Sequence, residues 1–562
     1  MPRKQQTFVK IPSAYPQLLE LRKSKTAALK PNKYLKESTV LRYYQVIGTL
    51  HMMLLQRMVL GDATGLGKTL EIIAAYAFIL SENPDMKLLV VCQKSAIYQW
   101  QEEFEKFTQG ITTRVITNDF EKMSGSKARR MQYNRFQENV MIMNYYPTME
   151  EYEMISDTLG DNYMVCFDEC VAFKSRKTKT HFGCERIALR AKRVYGLSAT
   201  IIKNGLEEVY GIYKVIVPGL FGNITSFRNA FCKMELMDIR DRTGKRRKIP
   251  KIKGYKNLDQ FKQLIDPYFL CRKKEEVSSE LPKLISRKIV LEMGTEQRKA
   301  YREALNGILY EEKVKQEFFE VMDLVRNGAE DEKTLKIYEE RKEKYEKFLS
   351  PEGKKRGKLA ALTYCQMVSN GPELVNRPGR SSKAEELERL LQEELQDEKI
   401  IIFSRFKSGL PSYEIVCERL KMKYVKITGD QSDTERREAR LSFQDNPNTK
   451  IIFITTAGSA SLNLQAASVL IFIDTPWSFG DLAQTIGRAQ RIGSLREHVL
   501  LIHFVNQKTI DERVMNRVTD KKDLSDNVLG STAEGALDFT SGDDNAVDDL
   551  FEGILEDAKE FK

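Results

Sequence analysis

Apolar residues along this chain come in short, nearly unbroken runs, separated by longer stretches in which they recur every three or four positions. The first set of runs is KLLVVC (87–92), TRVIT (113–117), VMIMNYY (140–146), YMVCFDE (163–169) and RVYGLSAT (193–200). Runs of this length without polar alternation suit strands buried on both faces. The stretches between them, such as SAIYQWQEEFEKF, carry a helical period. Strand and helix in regular succession predict a parallel sheet covered by helices on both sides. Near Pro218 the pattern changes, and residues 219 to about 380 read as mostly helical with long charged faces. The alternation then resumes as KIIIFS (399–404), KYVKIT (423–428), KIIFITT (450–456), SVLIFID (468–474) and HVLLIHFV (498–505). The expected fold class is α/β, with two parallel-sheet lobes and helical protrusions between them.

Charge sharpens the boundaries. Residues 1–36 hold nine Lys/Arg against one acid, Glu20, and read as a basic N-terminal arm. The first lobe is expected over 37–218 and the helical protrusions and linker over 219–380. Within that linker a basic insert at 240–256 carries nine Lys/Arg and one Asp. Thr243-Gly244 marks a turn inside the insert, flanked by Ile239, Ile249 and Ile252, which predicts a β-hairpin or ordered loop with Arg246 and Arg247 near its tip. The second lobe is expected over 381–522. Residues 523–562 hold twelve acids and two lysines, a net of −10, and read as a disordered acidic tail suited to a protein partner. The remainder of the 562-residue chain is then at +21, which points to a polyanionic partner such as nucleic acid.

No run of 18 apolar residues is present, and MPRKQQTFVKIPS lacks the apolar centre of a signal peptide. The expectation is an intracellular protein without a membrane partner. The eight cysteines form no C-x-x-C pair. The local group Cys166, Cys170, His181 and Cys184 reads as buried thiols on a core strand rather than a zinc site.

Candidate chemistry begins at RMVLGDATGLGKTLE, which opens at Arg57. A short apolar run ends in a loop with Gly65 and Gly67, then Lys68 and Thr69, then an apolar helical stretch. This order makes a phosphate cradle, in which backbone N–H groups and a helix N-terminus face a polyanion. Lys68 would reach the β- and γ-phosphates, and the Thr69 hydroxyl would sit on Mg²⁺. Asp62 stands where the general pattern has its first glycine. About a hundred residues later an apolar strand ends in Asp168-Glu169. Asp168 suits Mg²⁺, and Glu169 suits orienting and deprotonating an attacking water. The second lobe has no phosphate loop but offers QTIGRAQRIG (484–493), with Arg488 and Arg491 three residues apart and expected on one helical face. Such a pair suits arginine fingers that neutralise a γ-phosphoryl group.

Taken in order, these segments resemble the superfamily-two nucleic-acid-dependent ATPases, and among them the Swi/Snf-type DNA translocases, over about residues 38–520. LRYYQVIG is similar to the family's adenine-reading motif, which implies that Gln45 contacts the base. DATGLGKT matches its Asp-opened phosphate loop, so Asp62, Gly65 and Gly67 join Lys68 and Thr69 as implied nucleotide-binding residues, with Gln484 from the second lobe. LLVVCQKSAIYQWQEEFEKF and IMNYY resemble the first two DNA-contacting motifs. They imply contacts through Lys94, Ser95 and Asn144, and TTAGSASLNL adds Thr455 and Thr456. LSATIIKN resembles the motif that couples the two sites. The resemblance also implies two RecA-like lobes, ATP and Mg²⁺ as cofactors, and duplex or branched DNA as partner. Its short protrusions look closest to annealing-type and to phage or bacterial members, which implies a bacterial or phage-infected cytoplasm. DECV replaces the family's usual DEAH, and Ser459 and Ser461 stand where glycines are usual. Three readings follow: a double-stranded DNA translocase acting on protein–DNA complexes or branched DNA, a strand-separating DNA or RNA helicase, and a non-catalytic ATP-sensing DNA-binding module.

Overall fold

The computed structural model describes residues 11–24, 26–199, 201, 206–240, 246–272, 281–327, 331–349, 351–456, 462–477, 479–491, 494 and 496–516. The acidic tail, Thr243-Gly244, Thr200, Asn204, Ser459 and Ser461 therefore lie outside the described residues. The chain divides into two compact units between Leu281 and Pro282.

The first unit is built on strands β1 (Arg57–Leu60), β2 (Lys87–Cys92), β3 (Thr113–Val115), β6 (Val140–Asn144), β7 (Tyr163–Asp168) and β8 (Arg193–Leu197), with a small β4 (Asp119–Phe120) and β5 (Met123–Ser124) ladder to one side. Further along, β9 (Cys232–Arg240) and β10 (Arg246–Tyr255) pair antiparallel, and β11 (Phe269–Leu270) returns to the main sheet. The seven-stranded order is β11-β1-β8-β7-β2-β6-β3, with every pairing parallel. Both faces are dry, which is why these strands read as unbroken apolar runs. Val59, Leu89, Val91, Met141, Met143, Val165 and Phe167 enter one core, while Met58, Leu60, Leu88, Val90, Ile142, Met164 and Cys166 enter the other. The period-two geometry of a strand sends alternate residues to opposite sides.

The N-terminal segment is packed on this unit rather than standing apart. Leu18 of helix Tyr15–Lys23 is fully buried, and Arg22 donates to the Asp266 carboxylate at 2.8 Å and to the carbonyls of Asp266 and Phe269 at 2.8 and 2.9 Å. The β9–β10 ladder stands on an aromatic base in which Phe221 stacks on Phe261 at 5.4 Å, with Phe227 and Phe231 against them. Its register sets Lys248 opposite Asp238 and Lys251 opposite Glu235.

The second unit opens with β12 (Lys283–Leu291), followed by helices Thr295–Leu305, Ile308–Arg326, Glu332–Leu349 and Pro351–Asn370. Strands β13 (Ile400–Phe403), β14 (Lys423–Ile427), β15 (Thr449–Ile454), β16 (Val469–Phe472) and β17 (His498–Asn506) complete a parallel sheet of order β12-β17-β16-β13-β15-β14. The stretch 219–380, expected to be mostly helical apart from a hairpin or ordered loop at 240–256, thus holds four strands among the described residues. It contributes β11 to one sheet and β12 to the other, and β12 escapes the apolar pattern because most of its residues are exposed at a sheet edge.

Candidate active site

Strand β1 lies between β8 and β11, and Met58–Leu60 are fully or almost fully buried. The chain leaves it through a loop whose Gly65 and Gly67 hold φ of 86° and 85°, the left-handed region that glycine enters without strain. Gly67 also has a neighbour: a Cβ there would lie 2.5 Å from Gln45 Nε2. Helix Lys68–Glu82 starts at once, with Thr69 in its first turn. Lys68 Nζ donates to the carbonyls of Asp62 at 2.6 Å and Ala63 at 3.3 Å, so the ammonium lies across its own loop. Gln45 is buried and closes the other side, its Nε2 donating to the Leu66 carbonyl at 3.1 Å while its Oε1 caps its own helix by accepting from Arg42 N.

Strand β7 ends at Asp168, with β8 interposed between it and β1. Trp100 Nε1 donates to Asp168 Oδ2 at 2.9 Å, and the Tyr145 hydroxyl donates to the Asp168 carbonyl at 2.8 Å. Burial and then the adjacent Glu169 push the Asp168 carboxyl up to about 6, opposed by the Trp100 hydrogen bond and then by Lys68. Glu169 sits at φ 52°, a left-handed conformation that costs a non-glycine residue about 1 kcal/mol or more. The Ser198 hydroxyl, from the end of β8, donates to Glu169 Oε2 at 3.1 Å. The intervening strand thus delivers the group that touches the acid, joining the LSAT and acidic motifs. Cys170, which replaces the usual alanine, is fully buried beneath this turn and faces Gly196.

One part of the site escaped sequence reasoning. Arg272, two residues past β11, donates from Nε to Asp62 Oδ1 at 2.9 Å and from its backbone N to the same oxygen at 3.0 Å. Its Nη2 bonds Asp62 Oδ2 and reaches Glu71 Oε1 and Oε2 at 3.0 and 2.8 Å, while Nη1 bonds the Tyr44 carbonyl. Asp62 and Glu71 have no exposed surface. Asp62, expected among the nucleotide-binding residues, therefore directs its carboxylate into the protein, where it fixes the loop's first half. Burial pushes the Glu71 carboxyl well up, opposed by Arg272; burial also works against Arg272, but Asp62 and Glu71 outweigh it and raise that guanidinium. The only sequence signal for this cluster was an acid inside an apolar helix face.

Three of the expected nucleic-acid residues of this unit, Lys94, Ser95 and Asn144, meet at one sheet edge. Register places Cys92 beside Asn144, so Lys94 and Ser95, just past β2, adjoin Asn144 at the end of β6. Lys94 is exposed, and Asn144 Oδ1 accepts from Tyr146 N at 2.8 Å. Arg246 and Arg247 open β10, opposite Arg240 and Ile239.

In the second unit, Gln484 and Arg488 lie on helix Phe479–Ala489, but Arg491 lies beyond its end. The expectation of two arginines on one helical face is corrected here. Gln490 is buried and donates its Nε2 to the Pro282 carbonyl at 2.9 Å, and the Arg491 carbonyl accepts from Ser494 N at 3.2 Å. Thr455 and Thr456 follow β15 at the C-terminal edge, with Thr455 buried. Beside them runs a buried polar joint. Lys383, fully buried, pairs with Asp511 at 2.7 Å and donates to Asn370 Oδ1 at 3.0 Å, and Asn370 donates to Asp474 at 2.6 Å. Helix Pro351–Asn370 is thereby fastened to the ends of β16 and β17.

Among the described residues no group of three His, Cys, Asp or Glu side chains could hold a metal ion. What the site offers a cation is hard oxygen, from the Thr69 hydroxyl and the Asp168 carboxylate, with remaining positions left for water and phosphate. That is the donor set Mg²⁺ favours.

A phosphate loop and an acid pair at the C-terminal edge of one parallel sheet, with a second parallel sheet carrying arginines but no such loop, define a two-lobe helicase-like ATPase core. The chain belongs to the SNF2-related family: residues 44–348 match the SNF2-related domain, and residues 382–493 match the helicase conserved C-terminal domain. It is similar to the Chromodomain-helicase-DNA-binding protein 1-like of Mus musculus, 24% identical over 84% of this chain and 47% of that protein. It is also similar to an uncharacterized ATP-dependent helicase of Mycoplasma pneumoniae, 24% identical over 88% of this chain and 42% of that protein. The DNA repair and recombination protein RAD54-like of Gallus gallus is 23% identical over 89% of this chain and 68% of its own length. The chain spans about half the length of the first two. Among solved structures, the Sulfolobus solfataricus SWI2/SNF2 ATPase core in complex with dsDNA is 21% identical, covering 94% of this chain and 98% of that chain at a TM-score of 0.39. No helix among the described residues is long and apolar enough to cross a membrane.

Proposed function

We propose that this protein hydrolyses ATP on double-stranded DNA and uses the cycle to translocate along the duplex, displacing bound proteins or remodelling branched DNA. The observation that carries this reading is a phosphate loop with Lys68 across it and an Asp168-Glu169 pair, its Glu169 carboxylate held by Ser198, at the C-terminal ends of strands of one parallel sheet, in a chain that matches both the SNF2-related domain and the helicase conserved C-terminal domain. Lys68 exchanges the carbonyls of Asp62 and Ala63 for the β- and γ-phosphates. Thr69 and Asp168 are the residues that would hold Mg²⁺, which when bound neutralises charge developing on the phosphates. Glu169 orients the attacking water and takes its proton, with Ser198 holding the carboxylate in place. Gln45 reads the base, and Gln484, Arg488 and Arg491 complete the site from the second lobe.

Lys94, Ser95 and Asn144 from one unit, and Thr455 and Thr456 from the other, grip the DNA backbone, and the hairpin residues Arg246 and Arg247 add contacts to a second strand or branch. Such contacts follow phosphate rather than sequence. The names of the relatives support DNA as the partner. The acidic stretch 523–562 is suited to recruiting a protein, in keeping with its charge of −10.

The test is ATPase activity of the full chain without nucleic acid and with duplex DNA, single-stranded DNA or RNA. Duplex DNA should stimulate turnover most, without strand separation in a labelled-duplex assay. Stimulation confined to single strands or RNA, with unwinding, would establish the helicase reading instead, and ATP binding without turnover would leave a sensing module.

A further inference from the structure

The segment Phe269–Arg272 forms the floor of the phosphate loop. Gly61 N donates to the Leu270 carbonyl at 2.7 Å and Ala63 N to the Arg272 carbonyl at 3.2 Å, extending the β1–β11 pairing past the end of β1. Cys271 Sγ donates to the Gly61 carbonyl at 3.1 Å. From this floor the Arg272 guanidinium reaches three separate elements: Asp62 in the loop, Glu71 in the first turns of the loop helix, and the Tyr44 carbonyl beside Gln45. Its side chain is 9% exposed, and both carboxylates are fully buried. At the other end of the same segment, Arg22 holds the Asp266 carboxylate and the Phe269 carbonyl. The second unit begins ten residues after Arg272, at Pro282.

We propose that Arg272 is a positioning residue for nucleotide. It sets the first half of the phosphate loop and the start of the loop helix in one mutual geometry, and it makes that geometry depend on the last lobe-one segment before the chain enters the second unit. The inference rests on the reading of Lys68 and its loop as a nucleotide site. A lysine would keep the charge, but its three donors on one atom cannot serve two carboxylates and a carbonyl spread over three elements.

The experiment uses the full chain, a fluorescent ADP analogue and thermal melting. Arg272→Lys should weaken analogue binding by ~10-fold or more, the scale expected when one or two charge-assisted hydrogen bonds lose their geometry, and should raise KM for ATP more than it lowers kcat. A purely structural role would instead lower the melting temperature and leave KM of the folded fraction unchanged. Should Arg272→Lys not fold, the charge-neutral triple variant Arg272→Met/Asp62→Asn/Glu71→Gln carries the test, and it should fold yet bind the analogue as weakly. Wild-type affinity in the folded Arg272→Lys protein, or in the triple variant, overturns the inference. Lys68→Ala separates the two readings. If it too binds the analogue normally, the phosphate-loop assignment fails; if it alone loses binding, only the role of Arg272 fails.

Discussion

Replacing Gly48 by alanine sets two physical effects against each other. Gly48 lies inside helix Tyr43–Leu54, where alanine normally gains about 1 kcal/mol over glycine. A Cβ at that position, however, would lie 1.6 Å from Glu71 Oε2 and 3.0 Å from Arg272 Nη2. A carboxylate at the surface would swing aside at little cost. Glu71 has no exposed surface, and Arg272 is its partner, so displacing it strands a buried charge. Breaking a buried pair this way costs about 3–5 kcal/mol. The net expectation is that Gly48→Ala destabilises the first unit by about 2–4 kcal/mol, once the helix gain is subtracted. The chain has two tryptophans, Trp100 in the first unit and Trp477 in the second, so urea unfolding in a Trp477→Phe background reads the first unit by fluorescence alone. At a typical urea slope of about 2 kcal/mol per molar, the midpoint should fall by about 1–2 M. An unchanged or raised midpoint would refute the account of Glu71 and Arg272 as a locked pair.

Glu169→Gln should still bind ATP but turn over at least ~100-fold more slowly, as measured by steady-state phosphate release; normal turnover removes Glu169 as the base. Arg488→Ala or Arg491→Ala should each cut DNA-stimulated turnover by ~10³-fold or more while nucleotide binding by the first lobe persists, and a loss under tenfold in both means that neither is a finger. His51 is fully buried, and burial, then Arg22 and Arg272, bring its pKa down to about 4 from 6.5. The unfolded chain therefore takes up a proton below pH 6.5 that the folded chain refuses, so this stability is present above 6.5 and is lost as pH falls toward 4. From pH 7 to pH 5 the loss from His51 is about 2 kcal/mol, and urea midpoints at the two values should show a shallower drop in His51→Gln. Replacing Arg242, Lys245, Arg246, Arg247 and Lys248 with serine should weaken duplex or branched-DNA binding and flatten its salt dependence by about 0.9 per lost phosphate contact, and an unchanged slope excludes the hairpin as a DNA contact.

The patterns legible in the sequence were those whose physics is local. A strand buried on both faces must be apolar throughout, so the runs at β2, β6, β7 and β8 stood out, as did those of the second sheet. The phosphate loop was legible because its glycines, Lys68 and Thr69 do their work within a dozen residues of chain. Thr243-Gly244, flanked by Ile239, Ile249 and Ile252, left a β-hairpin or an ordered loop open, and the β9–β10 pairing is the hairpin alternative.

Tertiary structure decided what depends on distant segments meeting. β11 is two residues long and β12 is largely exposed, so neither carries a pattern that assigns it to a sheet, and only pairing partners place them. Arg491 lies past the end of the helix that spacing assigned to it, where Gln490 turns inward to the Pro282 carbonyl, a partner 208 residues away. Asp62 stands in the same motif as Lys68 and Thr69, yet its carboxylate faces Arg272, 210 residues on. Sequence spacing specifies which side chains are available at a loop. Which way each one turns is settled by the buried charge or hydrogen-bonding group it must satisfy, and that partner arrives only when the chain has folded.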